Sequence, residues 1–308
     1  VIGWQVRWSR RIPEKVIFTC AVSVNVQPAV RACLRGILAA MILLGALAIP
    51  PVEAGEAVPS HFMVFDGLLF LGKPDLRIYG LTPILGSGDL WRAGVSRDDV
   101  DPVRLAAIFQ SLKDSDGYYY LDIERWPLEN VAPEVRAQNV AKLTHAISIA
   151  RANAPHLHIG FYGLLPGITY WPLMRHDEAY LRWKQTNAAL DVLAPSVDAV
   201  FPSLYTFYDD PAGWASYARQ TLVEARRYGK PVYAFIWPEY HDSNPVLGGQ
   251  TVPSEAWRAE LELCFALADG VVIWGGSQHH WDVNAPWWTQ TLAFVQAHGL
   301  RRETAAPD

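Results

Sequence analysis

"GYYYLDIERWP", residues 117–127, sets the reading of the chain. Three tyrosines and a leucine form a short run of strand-favouring residues. The run stops at two carboxylates one residue apart, Asp122 and Glu124, followed by Arg125, Trp126 and Pro127. The next segment, "APEVRAQNVAKLTHAISIARANAP" (132–155), has the pattern of a long amphipathic helix, with Pro133 near its start and Pro155 beyond its end. "HLHIGFYG" (156–163) is again a short apolar strand. Strand, covering helix and strand is the unit of a parallel sheet.

The same alternation extends both ways. Strands are expected at 61–67, 76–84, 198–205, 231–240 and 270–276, and helices at 101–114, 177–195, 210–229, 253–269 and 285–299. Asp101 and Pro102 mark one helix start, and Ser254 with Glu255 are read as capping another. No Gly-x-Gly-x-x-Gly or Walker-type loop follows a strand, which disfavours nucleotide folds. The expected class is α/β, a TIM-like (β/α) barrel of about seven parallel strands, with its chemistry at the C-terminal strand ends.

Residues 1–54 differ from the rest. Arg31 and Arg35, an apolar run from Gly36 to Ile49 and a small-residue site near Ala54 give residues 30–54 the pattern of a secretory signal. The run is shorter than the ~20 residues that span a bilayer. Residues 1–29 read as an upstream extension, with Val30 as the initiator, which leaves 55–308 as one domain. A secreted or periplasmic monomer is expected. Cys20 and Cys33 fall before residue 55, so Cys264 alone remains and no internal disulfide can form. Residues 55–308 hold 20 basic and 29 acidic residues, a formal net charge of −9, which argues against a nucleic-acid partner. Thirteen Trp and thirteen Tyr suit a large core or a cleft that stacks sugar rings.

Carboxylates and aromatics recur at the expected strand ends: Asp122 and Glu124, Tyr162, Tyr205, Trp237 with Glu239 and Tyr240, and Trp274. Asp66 closes the first strand and is a candidate for the same mouth or for a structural place beside it. Residues i and i+2 of a strand share a face, so Asp122 and Glu124 should share a pocket. Like charges held close raise one pKa, and a carboxyl that keeps its proton is what a general acid needs. Glycoside hydrolysis uses such an acid together with a nucleophile or base. A solvated strand end, or an ion pair with Arg125, is the structural alternative.

Asp-x-Glu-x-Trp closing an apolar strand resembles the Asp-Trp-Glu-x-Trp signature of the hyaluronidases, the glycoside hydrolase family 56 type. "IGFYGLLPG" (159–167), "DAVFPSLYTF" (198–207), "YARQTLVEARRYGKPVYAFIWPEYHD" (217–242) and "LADGVVIWGGS" (267–277) are similar to later family segments, in the same order. The resemblance implies a distorted barrel and retaining cleavage of β-linked N-acetylhexosamine polymers, with the substrate's acetamido oxygen as nucleophile. It implies Glu124 as acid and then base. Asp122 would hold the acetamido group and keep Glu124 protonated, and Tyr205 would position the same group. Tyr162 and Trp274 would line the sugar site, with Trp237, Tyr240, Glu239 and Asp66 as further substrate-binding candidates. The chain departs from the family at Ile123, where the family has Trp, in "LLPGITY" (164–170), in its lack of cysteine pairs and in its acidity. These departures bear on which glycan is cut.

Two other readings stand beside this one. Glu239 could be the nucleophile of a conventional two-carboxylate glycosidase, or the barrel could bind sugar without cutting it. His279, His280 and Asp282 have no third His or Cys nearby in sequence, so no metal is expected, and no cofactor. His156 and His158 stand at the start of a strand, the structural end. Ser203 lacks a Gly-x-Ser-x-Gly setting. The expected partner is a polysaccharide or oligosaccharide, with no nucleic acid and no membrane once the signal is cleaved.

Overall fold

The computed structural model describes residues 62–277 and 279–300. The expected upstream stretch, 1–29, and signal segment, 30–54, lie outside the described residues. The strands are β1 (Met63–Leu68), β2 (Thr82–Pro83), β3 (Leu85–Ser87), β4 (Tyr118–Leu121), β5 (His158–Phe161), β6 (Tyr233–Ile236) and β7 (Gly270–Gly275). The helices are α1 (Pro102–Gln110), α2 (Pro133–Asn153), α3 (Trp171–Arg175), α4 (Glu178–Ala189), α5 (Pro211–Arg226), α6 (Ser254–Leu267) and α7 (Pro286–Ala297). One sheet runs β2-β1-β7-β6 and the other β3-β4-β5, and every strand pair is parallel. The fold is therefore mixed α/β with parallel sheets, as the alternation of elements predicts.

The strand count is lower than expected. β2 and β3 are consecutive pieces of one run around Ile84, so six separate runs form the two sheets among the described residues. The strand predicted at 198–205 is reduced to isolated bridges, Val200 to Val232, Ser203 to Phe235 and Phe201 to Tyr162. Pro202 stands within it and has no N–H for a ladder, although its carbonyl accepts from Phe235 N at 2.8 Å. The strand predicted at 76–84 begins instead as a 3₁₀ turn, Leu76–Tyr79. Asp75 caps that turn by accepting from Arg77 N, and Gly80 ends it at φ 91. The helix predicted at 177–195 stops at Ala189 and continues as a 3₁₀ turn, Leu190–Ser196, which contains Pro195.

Local capping follows the sequence with one exception. Asp101 accepts from Arg104 N, Asp177 from Ala179 N and Asp210 from Gly213 N, so three helices begin on an aspartate cap. Pro133 opens α2. Ser254 does not cap α6. It is the first helical residue, Pro253 holds the cap position, and no side chain caps that end.

Strand periodicity sorts the core into two clusters. Tyr119, Leu121 and Ile123 pack into the large cluster that includes Leu143 and Ile147 of α2. A second cluster gathers Phe65, Phe201, Tyr205, Tyr233, Phe235, Trp237 and Val272, with Tyr118 and Tyr120 against it. Residues 118 and 120, 201 and 205, and 233, 235 and 237 enter this inner cluster at even spacing, as side chains on one face of a strand must. Both sheets contribute to it, and the candidate site is the far end of these same faces.

Candidate active site

The inward parity that places Tyr118 and Tyr120 in the inner cluster continues past the end of β4. It brings Asp122 and Glu124 into one cleft of about 250 Å³. Ile123 between them turns outward into the main core. Tyr120, Tyr162, Tyr205, Trp237 and Trp274 share the cleft, as do His241 and Asp242. Asp122 N donates to Ser87 O at 3.2 Å, which ties this strand end to β3.

The aromatic wall is tightly interlocked. Tyr205 stacks on Trp274 with ring centroids 5.8 Å apart at 28°, and meets Trp237 edge-on at 5.5 Å. Trp237 meets Trp274 edge-on at 5.0 Å. Tyr162 lies 5.8 Å from Tyr205 and donates from its hydroxyl to Ser203 Oγ at 3.1 Å. Such rings suit the apolar faces of a pyranose. Burial holds the hydroxyls of Tyr162 and Tyr205 well above the usual phenol range, so both stay neutral donors.

The two carboxyls are not equivalent. Asp122 is partly buried while Glu124 stands exposed at the cleft edge. Burial, and second the charge of Glu124, push Asp122 up to about 6. Partial desolvation at the cleft edge raises Glu124 as well. The family resemblance implies that Asp122 keeps Glu124 protonated; here both carboxyls are raised, Asp122 chiefly by its deeper burial, so the pair retains a proton between them. The pair titrates as a unit, so a change in what touches Asp122 can pass the proton to Glu124.

Three predicted site residues lie elsewhere. Glu239 accepts from Trp237 Nε1 at 3.1 Å and sits 3.2 Å from His279 Nδ1, so it holds the back of Trp237 rather than lining the cleft. Asp66 accepts from Lys73 Nζ at 2.6 Å and from Leu68 N at 3.1 Å, which makes it a tie within its own turn. Tyr240 points to a separate cavity between α5 and α6, where its hydroxyl donates to Asp209 Oδ1 at 3.1 Å. Sequence reasoning missed Tyr120, His241 and Asp242. Period-two counting back from Asp122 finds Tyr120. His241 and Asp242 follow β6 in a loop, and no periodicity points to them. His241 stacks on Tyr205 at 5.9 Å, and burial lowers its pKa, so it is neutral at pH 7.

One glycine sets the position of Trp237. Gly275 has φ +127, and a Cβ there would lie 2.3 Å from Trp237 Nε1. Gly275→Ala should therefore cost about 2 kcal/mol through strain and displaced packing. Urea denaturation measures this, and an unchanged midpoint would mean that the backbone at 275 relaxes out of the positive-φ region and away from Trp237.

No protein-family model and no curated protein matches the sequence. Solved structures do. The structure of bee venom hyaluronidase superposes with a TM-score of 0.55 at 17% identity, covering 79% of this chain and 100% of that one. The chain shares its fold with that enzyme. A second structure of bee venom hyaluronidase, in complex with a hyaluronic acid tetramer, superposes at 0.53 with 18% identity, covering 78% and 96% of the two chains. At these identities the likeness is one of fold.

Proposed function

We propose that the protein is a secreted retaining glycoside hydrolase that cleaves β-linked N-acetylhexosamine-containing polysaccharide by acetamido-assisted catalysis. The observation that carries this reading is the joint presence of Asp122, Glu124 and Tyr205 in one aromatic-walled cleft. The fold shared with a hyaluronidase supports it, and that relative's complex with a hyaluronic acid tetramer makes an oligosaccharide the natural occupant. We take the two sheets as the wall of one distorted barrel. The inner cluster common to both sheets and the bridges at 200–203 support this. The signal pattern at residues 30–54 fits a substrate found outside the cell.

The chemistry runs in two steps. In the first, the acetamido carbonyl oxygen of the bound sugar attacks C1, and the C1–O bond to the leaving sugar breaks. Glu124 passes its proton to that leaving oxygen. In the second, Glu124 takes a proton from water, the water oxygen bonds to C1, and the acetamido oxygen leaves. Two inversions give net retention. The nucleophile is held within the substrate, so its effective concentration is high. Asp122 accepts from the acetamido N–H, and Tyr205 donates to the acetamido oxygen. An N–H donated to Asp122 favours its charged form, which moves the shared proton to Glu124, where the leaving oxygen needs it. Glu239, engaged with Trp237 and His279, is a positioning residue in this scheme.

Incubating the protein with hyaluronan, chondroitin, chitin oligomers and unacetylated glucans tests the reading. New reducing ends are expected only from N-acetylated glycans. Cleavage confined to glycans without an acetamido group would overturn the mechanism. Binding without any cleavage would leave a sugar-binding barrel in its place.

A further inference from the structure

Glu124 also lines a second cavity. This cavity, of about 230 Å³, shares Glu124 and Tyr162 with the first cleft. Its walls are largely apolar, with Trp126, Leu164, Ile168 and Leu190 among them, and Glu129 supplies a second carboxyl. Glu129 Oε1 is buried with no hydrogen-bond partner, and a Cβ on Gly167 would lie 3.3 Å from it. No Lys or Arg lines either cavity among the described residues. Arg136 and Arg182 act on Glu129 from outside this lining. Arg136 donates to Leu128 O at 2.7 Å, and Arg182 pairs with Glu178.

An acid that protonates a leaving oxygen must stand between the two halves of its substrate. Glu124 lines both cavities, whereas Asp122 and Tyr205 line only the first. The first would then hold the N-acetylated sugar whose C1 reacts, and the second is left for the group that departs. A carboxylate there would lie beside Glu129 against largely apolar walls with no Lys or Arg lining them, a partly desolvated placement without an opposite charge. A neutral hydroxyl could donate to Glu129 Oε1 and supply the partner it lacks.

We infer that the cavity beside Glu129 is the leaving-group subsite, and that it selects an uncharged group with an apolar face over a uronate. This rests on the hydrolase reading above and adds the substrate's charge class. Two measurements on the full chain test it. The first compares release of fluoride from the β-fluoride of an N-acetylated oligosaccharide with cleavage of the same oligosaccharide extended by one neutral sugar. Fluoride needs no leaving-group subsite. In Ile168→Trp, a bulkier wall at a partly exposed position, the ratio of oligosaccharide cleavage to fluoride release should fall about tenfold. The second compares, on the unaltered chain, leaving sugars with and without a carboxylate. The neutral one should be cut about a hundredfold faster. An unchanged ratio in Ile168→Trp, or equal rates on the two leaving sugars, would overturn this inference while leaving the hydrolase reading intact. No fluoride release and no cleavage by the unaltered chain would remove both.

Discussion

Glu124→Gln is expected to lower kcat on an N-acetylated polysaccharide by about 10³-fold, since proton transfer by a placed side chain contributes on that scale. Glutamine keeps the shape but neither gives nor takes the proton that both steps require. Glu124 is exposed at the cleft edge, so the fold should survive the change. The pH profile separates this role from a structural one. The carboxyl pair retains a proton below about 6, through burial of Asp122 and the nearby charge of Glu124. As pH rises past that point the proton leaves, and kcat/KM of the unaltered chain should fall. Glu124→Gln should lose that falling limb along with its activity. A variant that keeps a tenth of the activity, or the same limb, would mean that the acid is another residue.

Glu260→Gln should change how stability depends on pH. Glu260 lies on α6, only 3% exposed. Thr206 Oγ1 donates to its Oε1 at 2.7 Å, while its Oε2 has no partner. Burial pushes its pKa from 4.5 up to about 8. The folded chain therefore binds a proton between pH 4.5 and 8 that the unfolded chain has released. Its contribution is fully present below 4.5 and is lost as pH rises towards 8, by linkage. Across that window the loss is on the order of 4 kcal/mol. Glutamine does not ionise, so the variant should match the unaltered chain at pH 4.5 within about 1 kcal/mol and exceed it at pH 8. Urea denaturation at three pH values measures the difference. Parallel pH dependences in the two proteins would mean that Glu260 is ionised in the fold.

Much of the site is legible in one strand. In residues 118–124 alternate side chains are Tyr, Tyr, Asp and Glu on one face, and Tyr, Leu and Ile on the other. That parity places two acids in a shared cleft and Ile123 in the core, and the structure follows it. Aspartates before helices, and prolines at their first turns, set most helix starts because capping is a local interaction. The strand predicted at 198–205 illustrates the limit of such reading. Its apolar pattern faces inward as expected, but the missing N–H of Pro202 interrupts the ladder.

The alternating parallel architecture and the shared pocket of Asp122 and Glu124 are legible before folding, because both rest on backbone periodicity within a few residues. Tertiary structure alone decided which carboxyl is the deeper, and which strand-end residues reach the cleft. Trp237, Glu239 and Tyr240 are neighbours in sequence, yet they face the cleft, the back of Trp237 and a separate cavity. Once a strand has ended, its period no longer fixes where a side chain points. Packing against distant segments does, and those contacts, like the burial that raises the pKa of Asp122, exist only when the chain is folded.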